Sequence, residues 1–250
     1  MGSVLAELIA AQADMRLVAG IEAFGHPAVG RPLGTGFIGS ELGKVIDGCD
    51  AVVDFSTPQS SLANLRIAAN QGRPYVLGTT GFTAVELEEV RDLSRLLPLA
   101  FAPNFSVGVN VLYRLVAEAA SVLRDGYDIE IVEVHHRKKK DAPSGTAKQL
   151  AEIAARASGG RRIAYGRHGQ TGERPGDEIG VHSVRTGDVT GEHTVILGTD
   201  GERLELTHKA SNRMAFAQGA VRALRFISGK PSGMYDMNDV LARHADRSGS

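Results

Sequence analysis

Cysteine is nearly absent. Cys49 is the single one in 250 residues, so no internal disulfide can form, and the usage suits a reducing cytoplasm. Net charge is nearly absent too: 28 Lys and Arg against 29 Asp and Glu leave −1 at pH 7. No overall field favours nucleic acid or an anionic membrane. No apolar run reaches the roughly 18–20 residues of a membrane span. The first residues hold no basic stretch and include Glu7, so no secretory signal is expected. Metal-ligand spacing is missing: Cys49 is far from the paired histidines, and no His-x-x-x-His occurs. There is no internal repeat and no low-complexity segment. What remains is ordinary for a globular chain, 42% hydrophobic and 23% charged, with length for one large or two modest domains.

The informative stretch runs from Asp128 to Ala147. It begins as a strand, with Ile129, Ile131 and Glu133 on one face and Glu130, Val132 and Val134 on the other. His135 and His136 emerge at its end on opposite faces. Four cations follow, Arg137 to Lys140, and Pro143 breaks the run. Ser144 then suits the N-cap of a helix from Gly145 to about Ala157. Helix starts present free N–H groups and partial positive charge, so they attract anions. Imidazoles, ammonium groups and an anion-ready helix start within a few turns suit a carboxylate substrate beside a proton donor. A basic run alone is more often a solvated face, and a histidine pair at a strand end more often a surface feature. The order of the parts favours a site.

The rest of the chain alternates. Residues 3–12 read as a helix, and Met15 to Ala23 as a strand ending at Glu22. Ala51 to Phe55, Pro74 to Gly78 and Leu99 to Ala102 read as buried strands, separated by helices after Thr57 and Thr83. This is the pattern of a doubly wound parallel sheet. Gly34-Thr-Gly-Phe-Ile-Gly39 matches a dinucleotide fingerprint, with Asp54 beyond it. Such a fingerprint follows a strand and opens a helix, and Gly25 to Leu33, with two prolines, is expected to form no strand. The match is therefore read as a decoy.

A long helix from Val107 to about Leu123 leads into the signature strand. Ser158 to Asp177 reads as a mobile or substrate-closing loop. Glu178 to Arg185, Glu192 to Thr199 and Glu202 to Lys209 read as strands, the last two joined at Asp200-Gly201, which implies an antiparallel or mixed sheet. A helix from Ala215 to about Ser228 follows, and Arg243 to Ser250 reads as a loose polar tail. Residues 1–106 with 213–250 are expected to form one domain and 107–212 a second.

Glu133-Val-His-His-Arg-Lys-Lys-Lys-Asp-Ala-Pro-Ser-Gly-Thr146 resembles the signature of the 4-hydroxy-tetrahydrodipicolinate (dihydrodipicolinate) reductase family. The resemblance extends from Met1 to about Leu241. It takes in Ala51-Val-Val-Asp-Phe-Ser-Thr-Pro58, Gly78-Thr-Thr-Gly81, Ala102-Pro-Asn-Phe-Ser106, Gly187-Asp-Val-Thr-Gly-Glu-His193 and Thr207-His-Lys-Ala-Ser211. It implies a Rossmann-like domain and an α+β substrate-binding and oligomerisation domain, usually in a homotetramer. It implies reduction of a small dicarboxylate by NADH or NADPH in lysine biosynthesis through diaminopimelate. By the same resemblance, His135 is proton donor and acceptor, Lys139 proton donor, His136 a substrate contact, and Gly145 with Thr146 the carboxylate holders. Cofactor contacts fall on Glu22, Gly78, Thr79, Thr80, Ala102, Pro103, Asn104 and Phe105. Ala23 stands where some members carry an arginine suited to a 2′-phosphate, so NADH is the expected preference.

One departure stands out. The family opens with a strand and a Gly-x-x-Gly-x-Met-Gly turn, and Met1-Gly2 resembles that turn's last two residues. A displaced or trimmed start is the expected reason. The competing expectation is an inactive dinucleotide-binding or interaction protein of the same fold, which an intact signature argues against. A semialdehyde dehydrogenase needs a nucleophilic cysteine context that Cys49 lacks, and nucleic-acid binding through Arg137–Lys140 is the least favoured reading.

Overall fold

A helix, α1 (Gly2–Ala10), opens the chain and buries Leu5 and Ile9. The computed structural model describes residues 1–242, so the expected polar tail lies outside the described residues. Three short strands follow: β1 (Gly20–Ile21), β2 (Pro32–Leu33) and β3 (Gly36–Gly39). The strand expected over Met15–Ala23 is thus cut to two residues. Gly20 and Ile21 pair with Ile38 and Gly39, whereas the Leu17 carbonyl accepts Thr35 N–H at 3.1 Å from a turn. The expectation that no strand forms before Gly34 is also corrected. Pro32 and Leu33 pair antiparallel with Phe37 and Gly36, and the missing N–H of a proline is tolerated at the first residue of an edge strand. The glycine-rich decoy therefore lies on a turn and β3. Only two 3₁₀ turns, Leu42–Lys44 and Ile46–Gly48, come after it.

Next come β4 (Val52–Asp54), α2 (Pro58–Asn70), β5 (Tyr75–Leu77), α3 (Ala84–Leu93) and β6 (Pro98–Phe101). Local chemistry sets the helix starts. Thr57 Oγ1 accepts from Ser60 N–H with Pro58 in the first turn, and Thr83 with Glu86 closes a capping box. Leu62, Leu65 and Ala69 give α2 its buried stripe, which packs in one core with Tyr75, Leu77, Leu97 and Leu99. Asp54, the acid expected only if the decoy were real, is buried and engaged. It accepts from Tyr75 Oη at 2.6 Å, Ser56 N–H at 2.8 Å and Asn64 Nδ2 at 3.2 Å.

The next elements are α4 (Val107–Val122), β7 (Asp128–His135), α5 (Gly145–Ala157), β8 (Arg162–Tyr165), β9 (Glu178–Arg185), β10 (Gly191–Thr199) and β11 (Glu202–Ala210). The strands form one mixed sheet in the order β11-β10-β7-β9-β8, with β7 central. β10 runs antiparallel to β7 and β11, while β9 runs parallel to β7 and β8. Ile129 and Ile131 of β7, Leu150 and Ala154 of α5, and Leu112, Val116 and Ala120 of α4 share a second core. The outer apolar residues of α4, Val111, Leu115 and Val122, are exposed.

The loop expected over Ser158–Asp177 is corrected. β8 forms inside it, and arginines pin what remains. Arg167 and Arg174 both reach Glu130, at 2.7 and 2.8 Å, and Arg167 also reaches Glu178 at 2.5 Å. Long-range ion pairs of this kind leave no trace in local composition.

The chain then forms α6 (Met214–Ile227), β12 (Gly233–Tyr235) and α7 (Met237–Leu241). β12 pairs parallel with β6, giving an all-parallel four-stranded sheet in the order β12-β6-β5-β4. With helices between its strands, this part is Rossmann-like. By contact the described chain divides into two units: Met1–Val107 together with residues 216–242, and Gly108–Ala215.

Candidate active site

The second unit carries the signature. Alternation along β7 turns Ile129, Ile131, Glu133 and His135 inward, as the pleat requires. The first two are core. The last two are polar and still buried, Glu133 completely so. A buried carboxylate needs compensation. Register supplies it: across the sheet Arg185 lies opposite His135 on β9, and His193 lies opposite Glu133 on β10.

The Glu133 carboxylate is saturated. Both oxygens accept from Arg185, each at 2.8 Å. Oε2 also meets Nδ1 of His135 at 2.5 Å, and Oε1 accepts the backbone N–H of Ser144 at 3.1 Å. Burial works against its charge, yet the hydrogen bonds from Arg185 and His135 hold its pKa down at about 2. Burial lowers the pKa of His135, the Glu133 hydrogen bond and charge oppose that, and the charges of Lys139 and Arg185 reinforce it. Nε2 of His135 faces Gly191, where an added Cβ would stand 3.0 Å away.

Ser144 does what its position in the sequence suggested. Its Oγ accepts Ala147 N–H at 3.1 Å, capping α5. The same Oγ lies 2.9 Å from Nε2 of His193. His193 is buried, and its Nδ1 has no hydrogen-bond partner. The first-turn positions Gly145 and Thr146 follow the cap. Gly145 is exposed, with nothing within 4 Å of where a Cβ would stand. Thr146 is half-buried and hydrogen-bonded to Tyr113 of α4, whose phenol burial pushes up to about 12. Lys139 is largely covered, with its Nζ 2.9 Å from Asp141, and His136 is half-buried. The segment between β7 and α5 is pinned: Thr186 N–H donates to His135 O, Arg137 N–H to Gly187 O, and Lys139 N–H to His136 O.

Five of the expected residues, His135, His136, Lys139, Gly145 and Thr146, thus lie within one unit, and a single carboxylate bonds both His135 and the Ser144 cap. Glu133, Arg185, His193 and Tyr113 had no expected role. Glu133 could have been found, since a carboxylate two residues before a histidine shares its face. Arg185 and Tyr113 depend on pairings that no local pattern encodes.

The residues expected to contact the cofactor lie in the first unit, at the carboxyl ends of parallel strands, where open α/β sheets bind ligands. Gly78–Thr80 follow β5, Ala102–Phe105 follow β6 and Glu22 follows β1. Glu22 and Thr80 are exposed, with an acid and a hydroxyl available to ribose or amide groups. Other residues here serve the frame. Thr79 is buried against Ser61 Oγ at 2.7 Å, and Phe105 packs edge-on to Phe55 at 5.6 Å. Gly78 lets Phe55 cross it, because a Cβ would fall 2.1 Å from that ring. Asn104 Oδ1 accepts Ser106 N–H at 2.8 Å. The donor set fits a dinucleotide. Among the described residues no group of three or more metal-ligating side chains converges, and no helix is long and apolar enough to cross a membrane.

Comparison with known proteins gives concordant matches. Residues 1–105 match the family described as dihydrodipicolinate reductase, N-terminus, and residues 108–241 match dihydrodipicolinate reductase, C-terminus. The 4-hydroxy-tetrahydrodipicolinate reductase of Anaeromyxobacter sp. (strain Fw109-5) is 47% identical over 257 residues, covering 99% of this chain and 96% of the relative. That of Syntrophus aciditrophicus (strain SB) is 44% identical over 254 residues, covering 96% and 94%. Among solved structures, dipicolinate-bound dihydrodipicolinate reductase from Paenisporosarcina sp. TG-14 superposes with a TM-score of 0.79 at 23% identity, covering 96% of this chain and 95% of that one.

Proposed function

The chain belongs to the dihydrodipicolinate reductase family, and we propose how its own residues divide the family's reaction among themselves. That reaction is the NAD(P)H-dependent reduction of 4-hydroxy-tetrahydrodipicolinate to tetrahydrodipicolinate, on the diaminopimelate route to lysine. When bound, the reduced dinucleotide supplies the hydride. The protein has to bind a dicarboxylate, offset the charge that develops on the conjugated imine and deliver a proton.

Gly145 and Thr146 hold one substrate carboxylate at the start of α5. The Ser144 side chain caps the helix through the N–H of Ala147, and the partial positive charge of the helix start favours an anion there. His136 contacts the substrate, and the Lys139 ammonium offsets charge and donates a proton. His135 exchanges its proton at Nε2, the nitrogen away from Glu133. In the first unit, Glu22 takes ribose hydroxyls, and Gly78, Thr79, Thr80 and the segment Ala102, Pro103, Asn104 and Phe105 line the nicotinamide side. The observation that carries the reading is the buried Glu133 carboxylate, bonded at once to the titratable His135 ring and to the cap of the anion-ready helix.

Glu22 is followed by Ala23, with no cation there for a 2′-phosphate, which supports a preference for NADH. Comparing kcat/KM for NADH and NADPH tests this: NADH should win, and a tenfold bias to NADPH ends the idea. A homotetramer assembled through the second unit and a cytoplasmic location complete the proposal. Light scattering checks the former, and fractionation of cells making the tagged chain checks the latter. The activity itself is tested by following reduced-dinucleotide oxidation on the product of dihydrodipicolinate synthase.

A further inference from the structure

The Glu133–Arg185 pair has no part in the roles just assigned, yet it bonds His135, which does. Its geometry is more specific than a buried ion pair needs. A carboxylate with Arg185 on both oxygens is already neutralised, yet further donors reach it. Among them are the Nδ1 side of His135, the N–H of Ser144 and the Ser183 side chain.

The second contact is informative. In an ordinary capping box, the N-cap residue's N–H is satisfied by a Glu or Gln three positions later. Here that position is Ala147, which has no acceptor side chain. Glu133 supplies the missing acceptor from a neighbouring strand. The carboxylate that orients the imidazole therefore also holds the start of α5.

We propose that Glu133, clamped by Arg185, is a positioning residue. It fixes His135 with Nδ1 protonated and Nε2 bare, and it locks that ring in register with the carboxylate-binding turn at Ser144–Thr146. A carboxylate on one ring nitrogen selects the tautomer that leaves the other nitrogen for chemistry. Gly191 keeps that nitrogen approachable, since a side chain there would crowd it. Charged and titratable groups reach His135 from each packed element: Glu133 on its own strand, Arg185 on β9, Lys139, itself paired with Asp141, from the following turn, and His193 on β10. Glu133 is the anion in hydrogen-bond contact with the ring, so removing its charge must lower the ring's basicity.

This inference rests on the proposed role of His135, and the test separates the two. The Glu133→Gln variant cannot satisfy both neighbours while Nδ1 of His135 stays protonated. A Gln presents one oxygen and one NH₂, so either Nδ1–H or Ser144 N–H meets a donor. The account expects a loss of kcat/KM of roughly 10²-fold or more. It also expects the limb of the pH profile assigned to protonated His135 to move to lower pH by about one unit or more. KM should rise as well, because the α5 start loosens. Glu133→Gln with Arg185→Met removes both charges and serves if the single variant does not fold. Ring ¹⁵N NMR of the wild-type protein needs no variant and should find His135 with Nδ1 protonated and Nε2 bare whenever it is neutral. An Nε2–H tautomer, or a pH profile unmoved in a folded Glu133 variant, overturns the inference. If His135→Ala keeps full activity, the proposed function of that histidine fails instead.

Discussion

His193 stands edge-on against His135, ring centroids 5.2 Å apart and planes at 74°. Burial, helped by the charge of His135, pushes its pKa down to about 3. An unfolded histidine titrates near 6.5, so between about 6.5 and 3 the unfolded chain binds a proton that the folded chain refuses. The stability linked to His193 is therefore present above about pH 6.5 and falls as pH drops through that window. Glu133, held at about 2, contributes its own loss only below the ordinary carboxylate range. Urea unfolding measured stepwise from neutral to mildly acidic pH should show a shallower decline in His193→Gln than in the wild type. Parallel declines contradict the assignment.

Removing a proton-transfer group costs turnover. His135→Ala and Lys139→Ala should each lower kcat by roughly 10²–10⁴-fold. Steady-state assays at saturating substrate and cofactor check this. Unchanged turnover in Lys139→Ala takes that residue out of the mechanism.

The carboxylate turn predicts a different signature. Thr146→Val should raise substrate KM by about tenfold, with little change in kcat. Tyr113→Phe removes the hydroxyl bonded to Thr146 and should raise KM in the same direction by less. A fall in kcat alone would falsify the binding role.

The segment between β8 and β9 should behave as ordered structure. Burial disfavours charge on Glu130, but Arg167, Arg174 and His182 hold it at about 2. Glu130→Ala leaves two arginines and a histidine short of a partner, at a cost of about 1–3 kcal/mol. Limited proteolysis should then cut within residues 166–177 faster than in the wild type. Rapid cleavage there in both proteins restores the mobile-loop reading.

Much of this was legible because it is written locally. Thr57, Thr83 and Ser144 announced three helix starts, and strict alternation from Ile129 to His135 announced the central strand. The signature sets both histidines and Lys139 in one short segment at the end of that strand. What stayed hidden depends on register. Nothing near Arg185 says that it lies opposite His135, and nothing near Ser158–Asp177 says that Glu130 anchors it. Met15–Ala23 misled because apolar composition predicts a strand only where a ladder partner exists, and the described partner reaches only Gly20 and Ile21.

The central claim is that His135 and Lys139 hand a proton to a dicarboxylate imine reduced by NAD(P)H. The most direct measurement follows cofactor oxidation with freshly formed 4-hydroxy-tetrahydrodipicolinate, comparing the wild type with His135→Ala and Lys139→Ala across pH. The account predicts rapid, substrate-dependent oxidation in the wild type, with its pH limbs lost in the variants along with most of the rate. Wild-type rate and pH profile persisting in both variants would contradict it.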